Sequence, residues 1–276
     1  MKGILSAIAL MLALVSAAAG AGAGETATRP ADPTFRLLEL GGRKVRWAVP
    51  ANGLPATIRY AFLTAPAQFP GARNCDAMLP PDAALAPSRV SLSAFRREVR
   101  AAFSVWAQAA NINFVETTSV ADAGILIGAD AKARGRAFTN VALRENTDGA
   151  STSGIGAIRQ SLICLNPKKP WKIGFDGNLD VYDVRFTITH EIGHAIGLDH
   201  PSPAGQLMSF RYVEKTQGLQ PGDIAGAVAL YGRRGAAAPS VRQAAAVPRA
   251  GTRAAAQPAR SRAFGLGEPA PPRDGR

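Results

Sequence analysis

Residues 190–200 read HEIGHAIGLDH and contain all three histidines of the 276-residue chain. Three histidines scattered at random in such a chain would take this spacing in about 266 of roughly 3.5 million placements, so the cluster has a chemical reason. His190 and His194 are four apart, which on a helix places them one above the other on a single face, able to converge on one ion. Zinc accepts neutral imidazole nitrogens at ~2.0–2.1 Å in tetrahedral geometry, and a catalytic site leaves one position for water. His200 cannot join from the same helix, because six more residues would carry it to another face and about 9 Å along the axis. The helix must therefore stop between the two, and Gly197 is the residue type that turns the chain back. The cluster thus dictates two ligands on a helix, a glycine turn, and a third ligand on the segment that folds under the ion. Glu191 follows the first ligand directly, so its carboxylate points beside the metal. There it can take a proton from a water that zinc has acidified toward pKa ~7.

The flanking sequence supplies the rest of a domain. Asp180 is a candidate cap for a helix running through VYDVRFTITHEIGHAIGL, with Val181, Val184, Ile188, Ile192 and Ala195 along one face and Asp183 in its first turn. Residues 91–110 place Phe95, Val99, Ala102, Phe103, Trp106 and Ala110 at helical spacing behind a Ser able to cap, a stripe read as core. Ile58, Tyr60 and Phe62 alternate with Arg59 and Ala61, the period of a strand with one buried face, and NINFVETT, AGILIGADA and AIRQSLICLN read as further strands. A last short helix fits DIAGAVALYG, with Pro221 before it and Gly232 after it. This order indicates an α+β fold with a mixed sheet.

The ends read differently. Residues 1–23 carry one Lys, an apolar run from Ile4 to Val15 and small residues, the pattern of a secretory signal peptide. The alternative, a membrane anchor, needs ~20 apolar residues, more than the run provides. Residues 24–43 form a short polar lead, residues 44–232 the domain, and residues 233–276 an Ala/Pro/Arg-rich tail too poor in large apolar side chains to offset its ordering entropy. The formal charge of +12 sits largely there, since the tail holds nine arginines against Glu268 and Asp274; with Lys2 also set aside, residues 24–232 keep only +4. Specific nucleic-acid binding is therefore not indicated, and weak adhesion to an anionic envelope surface is what such a tail offers. In an exported chain the two cysteines, Cys75 and Cys164, read first as a disulfide.

The string His190, Glu191, His194, Gly197, His200 with Met208 downstream resembles the metzincin zinc proteases. More narrowly, GLDH, QLM, Tyr212 four positions past the Met and the closing LYG are similar to the matrixin, or matrix-metalloprotease-like, branch in the form of its bacterial secreted members. The likeness extends weakly over RWAVPANGLPATIRYAF and VRAAFSVWAQAANINFVE, and so covers roughly residues 44–232. It implies a metzincin-like zincin domain: a twisted five-stranded mixed sheet, a long active-site helix and a small C-terminal subdomain. It also implies that Met208 floors the zinc ligands and that the chain cleaves proteins or peptides internally.

The departures matter too. The second, structural zinc of animal matrixins needs histidines this chain lacks. Calcium is one reading of the DGNLD loop at 176–180, and loop carboxylates with helix caps are the other. About twenty residues between the signal and RWAVP are too few for the family's folded propeptide, and ARNCDAML lacks the latency motif around its cysteine. Ser209 and Phe210 replace the usual Tyr-Pro pair after the Met. The expectation is a secreted, periplasmic or extracellular zinc-dependent endopeptidase holding one catalytic zinc. The alternative is a non-catalytic exported zinc-binding or envelope-interaction protein on the same scaffold.

Overall fold

Strand Ala56–Phe62 (β1) shows the alternation its sequence carries: Ala56, Ile58 and Tyr60 are buried and Thr57 and Arg59 exposed. In a computed structural model that describes residues 34–133, 135–145, 154–202, 204–215 and 218–235, β1 belongs to a nine-stranded mixed sheet. Its long members are β1, Ile112–Glu116 (β2), Ile125–Asp130 (β3), Ala137–Leu143 (β4) and Ile155–Leu165 (β5). Their spatial order is β2-β1-β3-β5-β4. The pairs β2–β1, β1–β3 and β3–β5 are parallel, and β4 closes the row antiparallel to β5. Strand β3 is buried at every residue, the continuous apolar run that a strand covered on both faces requires.

Helix Leu92–Ala109 (α1) starts at Ser91, whose Oγ accepts from Ala94 N at 3.2 Å. Its apolar stripe enters the core, with the Phe103 ring stacked 4.1 Å from Tyr60. Helix Val184–Ala195 (α2) packs against α1, where Trp106 Nε1 donates to Thr189 O at 2.8 Å. The buried Glu98 carboxylate of α1 meets Arg185 of α2 at 2.6 Å. Helix Pro221–Tyr231 (α3) starts two residues earlier than expected, taking Pro221 as its first residue, and stops at Gly232 as the sequence indicates. No helix among the described residues is long and apolar enough to cross a membrane.

Several expectations change. The cap of α2 is Asp183, not Asp180, and its carboxylate accepts from Phe186 N at 2.7 Å. The chain stays extended as far as Asp183 because Tyr182–Asp183 pairs with Trp171–Lys172, so the helix cannot begin earlier. Nor does α2 present one apolar face: it is buried on all sides, between α1, β4 and β5. The lead is not outside the domain, since Leu38 and Leu40 are buried and Arg36–Leu37 pairs with Leu198–Asp199. The segment 1–23, expected to be a signal peptide, and the expected tail from 236 onward lie outside the described residues.

Cys75 and Cys164 are joined, with Cα atoms 5.8 Å apart. Cys164 and Leu162 point to a small second core with Phe138, Met78 and Leu63, whereas Ile163 and Leu165 face the main core. The period of two along β5 therefore sets the bridge on the sheet face opposite α2.

Candidate metal centre

Helix α2 carries His190 and His194 inward, and the chain turns at Gly197 to bring His200 beside them. His190 Nε2 lies 3.1 Å from both His194 Nε2 and His200 Nε2. Two nitrogens held at ~2.05 Å by one tetrahedral ion would be about 3.3 Å apart, close to both of these separations, and all three ligand atoms lie within 4.8 Å of one another. The opposite ring nitrogens fix the tautomers. His190 Nδ1 donates to Leu207 O and His194 Nδ1 to Leu198 O, each at 2.8 Å, and a carbonyl can only accept. Each Nε2 of that pair is thereby left as a lone pair aimed at the shared point, the donor set neutral imidazole offers a metal. Burial pushes both imidazoles well below their ordinary range, and it lowers His200 to about 4 against the neighbouring Asp199.

The site depends on two glycines, one in the turn and one inside α2. Gly197 has φ +107°, and a Cβ there would strike the Val45 carbonyl oxygen. A Cβ on Gly193, between the first two ligands, would overlap Met208 Sδ and touch Trp106. Met208 is thus seated against the backbone of α2 at Gly193, a closeness that only glycine there allows. Gly193 went unnoticed in the sequence, where it is one of 28 glycines.

Asp223 of α3, also missed, anchors the Met208 segment. Its buried carboxylate accepts from Leu207 N at 2.9 Å, Met208 N at 3.0 Å and Gln220 N at 2.7 Å. Since Leu207 O receives His190 Nδ1–H, a continuous string runs from α3 to the triad. The only local signal was an acid at the third position of a Pro-led helix. On the other side, His200 N donates to Asp199 Oδ1, and Asp199 meets Arg36 of the lead at 3.0 Å.

Tyr212 is not at the histidines. Its hydroxyl accepts from Asp183 N at 2.8 Å and donates to Glu214 at 2.6 Å, tying the start of α2 to the segment after Met208. Phe210 instead lies there, its ring 5.2 Å from His200 and 38 % exposed. In the 176–180 loop, the Lys172 ammonium bonds the Asp176 carboxylate, Asn178 O at 2.7 Å and Glu214 Oε1 at 2.6 Å, so a side-chain cation already occupies its oxygen cluster. Burial pushes Glu214 up, but bonds from Lys172, Tyr212, Gly177 N and Asp176 N outweigh it and hold the carboxyl at about 2.

Glu191 is 1 % exposed, and Thr139 Oγ1 of β4 donates to its Oε2 at 2.8 Å. Burial raises the carboxyl to about 7, against the Thr139 bond and the Arg136 charge, which lower it.

The sequence profile of the matrixin family matches residues 84–232. The chain belongs to the matrixin family. Its relatives include metalloendoproteinase 4-MMP of Arabidopsis thaliana, 28% identical over 148 residues, which are 50% of this chain and 40% of that protein. A serralysin of Photorhabdus laumondii subsp. laumondii is 34% identical over 116 residues, 40% of this chain and 22% of that one. A probable matrix metalloproteinase of Invertebrate iridescent virus 3 is 34% identical over 76 residues, 26% of this chain and 20% of that protein. The chain thus spans between about a fifth and two fifths of the length of these matrixin and serralysin relatives.

Proposed function

We propose that this matrixin is an exported endopeptidase that depends on one zinc ion held by His190, His194 and His200. The observation that carries the reading is the convergence of three imidazole ligand atoms on one point, with the buried Glu191 directly after the first of them on the same helix. Zinc at that point would supply a Lewis acid for the scissile carbonyl and acidify the attacking water.

The remaining steps belong to the protein. Strand β4 pairs only with β5 among the described residues, so its outer edge offers backbone N–H and C=O groups to an extended peptide. Glu191 takes the proton of the attacking water on a carboxylate oxygen and delivers it to the leaving amine nitrogen as the C–N bond breaks. Met208 backs the histidines, and Asp223 holds the segment that orients His190. Phe210 presents an apolar ring beside the triad in the segment that would wall the pocket for a substrate side chain. We assign export to the signal at 1–23, envelope contact to the basic tail, and neutralisation of the 176–180 loop to Lys172 in place of calcium.

The test is digestion of denatured casein by the purified chain, with and without a chelator. Cleavage that chelation stops and zinc restores supports the reading, whereas cleavage indifferent to chelation overturns it.

A further inference from the structure

Thr139 sits on β4 with its side chain on the α2 side and is 2 % exposed. Its Oγ1 lies 2.8 Å from Glu191 Oε2 and 3.0 Å from the Glu191 carbonyl oxygen. We propose that Thr139 is a positioning residue for Glu191, holding the carboxylate in one orientation throughout the catalytic cycle; this rests on the peptidase reading above.

The argument is mechanical first. A glutamate side chain has three rotatable torsions and, left alone on a helix, sweeps its carboxylate through several positions. Threonine is β-branched and stiff at χ1, and this one is buried in a strand hydrogen-bonded along its length to β5. Its hydroxyl is therefore fixed in the frame of the sheet. The bond transfers that frame to the base. Because β4 is also the edge along which a peptide would lie, base and substrate are referenced to the same strand, the condition for a short, repeatable proton path.

The second part concerns the proton. Oγ1 carries a single hydrogen and faces two acceptors. While Glu191 is a carboxylate, the charge-assisted bond to Oε2 is the stronger and takes that hydrogen. Once Glu191 has received the proton of the attacking water on Oε1, Oε2 remains an acceptor for the threonine hydrogen, and the proton on Oε1 stays free to pass to the leaving amine. The same hydroxyl then serves the base before and after the transfer, with no side chain leaving its place.

The experiment compares Thr139→Val, which keeps the shape and removes the hydroxyl, with Thr139→Ser, which keeps the hydroxyl, and with Thr139→Ala should the valine variant not fold. We expect the valine variant to bind zinc as the parent does and to lose about 10- to 100-fold in kcat with KM changed by less than about twofold. The serine variant should stay within about threefold of the parent. Crystal structures of the zinc-free proteins give the independent readout: one Glu191 orientation in parent and serine variant, a displaced or split carboxylate without the hydroxyl. Full kcat in the valine variant, a serine variant as slow as valine, or an unmoved carboxylate without the hydroxyl would each overturn the proposal. If the parent itself cleaves nothing, the peptidase reading falls, and the position of the Glu191 carboxylate alone decides the claim for Thr139.

Discussion

Replacing Asp223 with Ala removes one carboxylate and orphans three backbone donors at once. Leu207 and Met208 are each 2 % exposed, so their N–H groups cannot turn to water, whereas Gln220 N at the start of α3 is half-buried and can. Two buried orphan donors at about 1–3 kcal/mol each give a loss of roughly 2–6 kcal/mol. Asp223→Asn keeps one accepting oxygen and should lose about half as much. The assay is urea denaturation of the zinc-free protein, which isolates the fold from the metal. A second consequence follows from Leu207 O, the acceptor of His190 Nδ1–H. When the segment loosens, His190 loses its orientation and zinc affinity should weaken about 10- to 100-fold, as for other outer partners of metal-bound histidines. A loss below about 1 kcal/mol would refute the accounting of orphaned donors. Lowered stability with unchanged zinc affinity would refute the link from α3 to the triad.

Three further outcomes follow from the same structure. Replacing both Cys75 and Cys164 with Ala opens a loop of sequence separation 89 and should cost about 4–5 kcal/mol in urea denaturation; because the bridge lies on the sheet face away from α2, zinc affinity should hold, and a loss of zinc would contradict that placement. Gly193→Ala drives a methyl into Met208 and should cost about 1–3 kcal/mol, with Met208→Ala in the same chain recovering part of it in a double-mutant cycle; simple additivity would show that the two do not touch. Glu214 titrates at about 2 in the fold against an ordinary 4.5, so it favours the folded state above pH 4.5 and that contribution fades as pH falls toward 2. Thermal melts of Glu214→Gln should therefore lose less stability than the parent across that window, and parallel curves would contradict the Lys172 and Tyr212 contacts.

What the sequence made legible follows from how far each signal reaches along the chain. The histidine spacing, the glycine turn and the amphipathic stripe of α1 are local, and each is written within a few turns of helix. Strand β4 is different: AFTNVAL is buried from Ala137 to Val141, so neither alternation nor a polar face marks it, and its existence depends on pairing with β5. Thr139 and Asp223 act on Glu191 and Leu207 at separations of 52 and 16 residues, contacts that no local pattern announces. Asp180 and Asp183 are equally good caps by residue type, and only the pairing of Tyr182–Asp183 with Trp171–Lys172 decides between them. The lead misled for a similar reason, since Leu38 and Leu40 become core only once Arg36–Leu37 meets the segment that delivers His200.

The central claim is that three histidines hold one zinc ion that works with Glu191 to cut peptides. Its most direct test is a zinc titration of the metal-free protein, following cleavage of a broad peptide mixture, beside Glu191→Gln. Cleavage by the parent should rise in proportion to zinc and level off at one equivalent, while the variant binds the same equivalent and cuts nothing. Cleavage without zinc, cleavage by Glu191→Gln, or one bound equivalent with no cleavage by the parent would contradict the account.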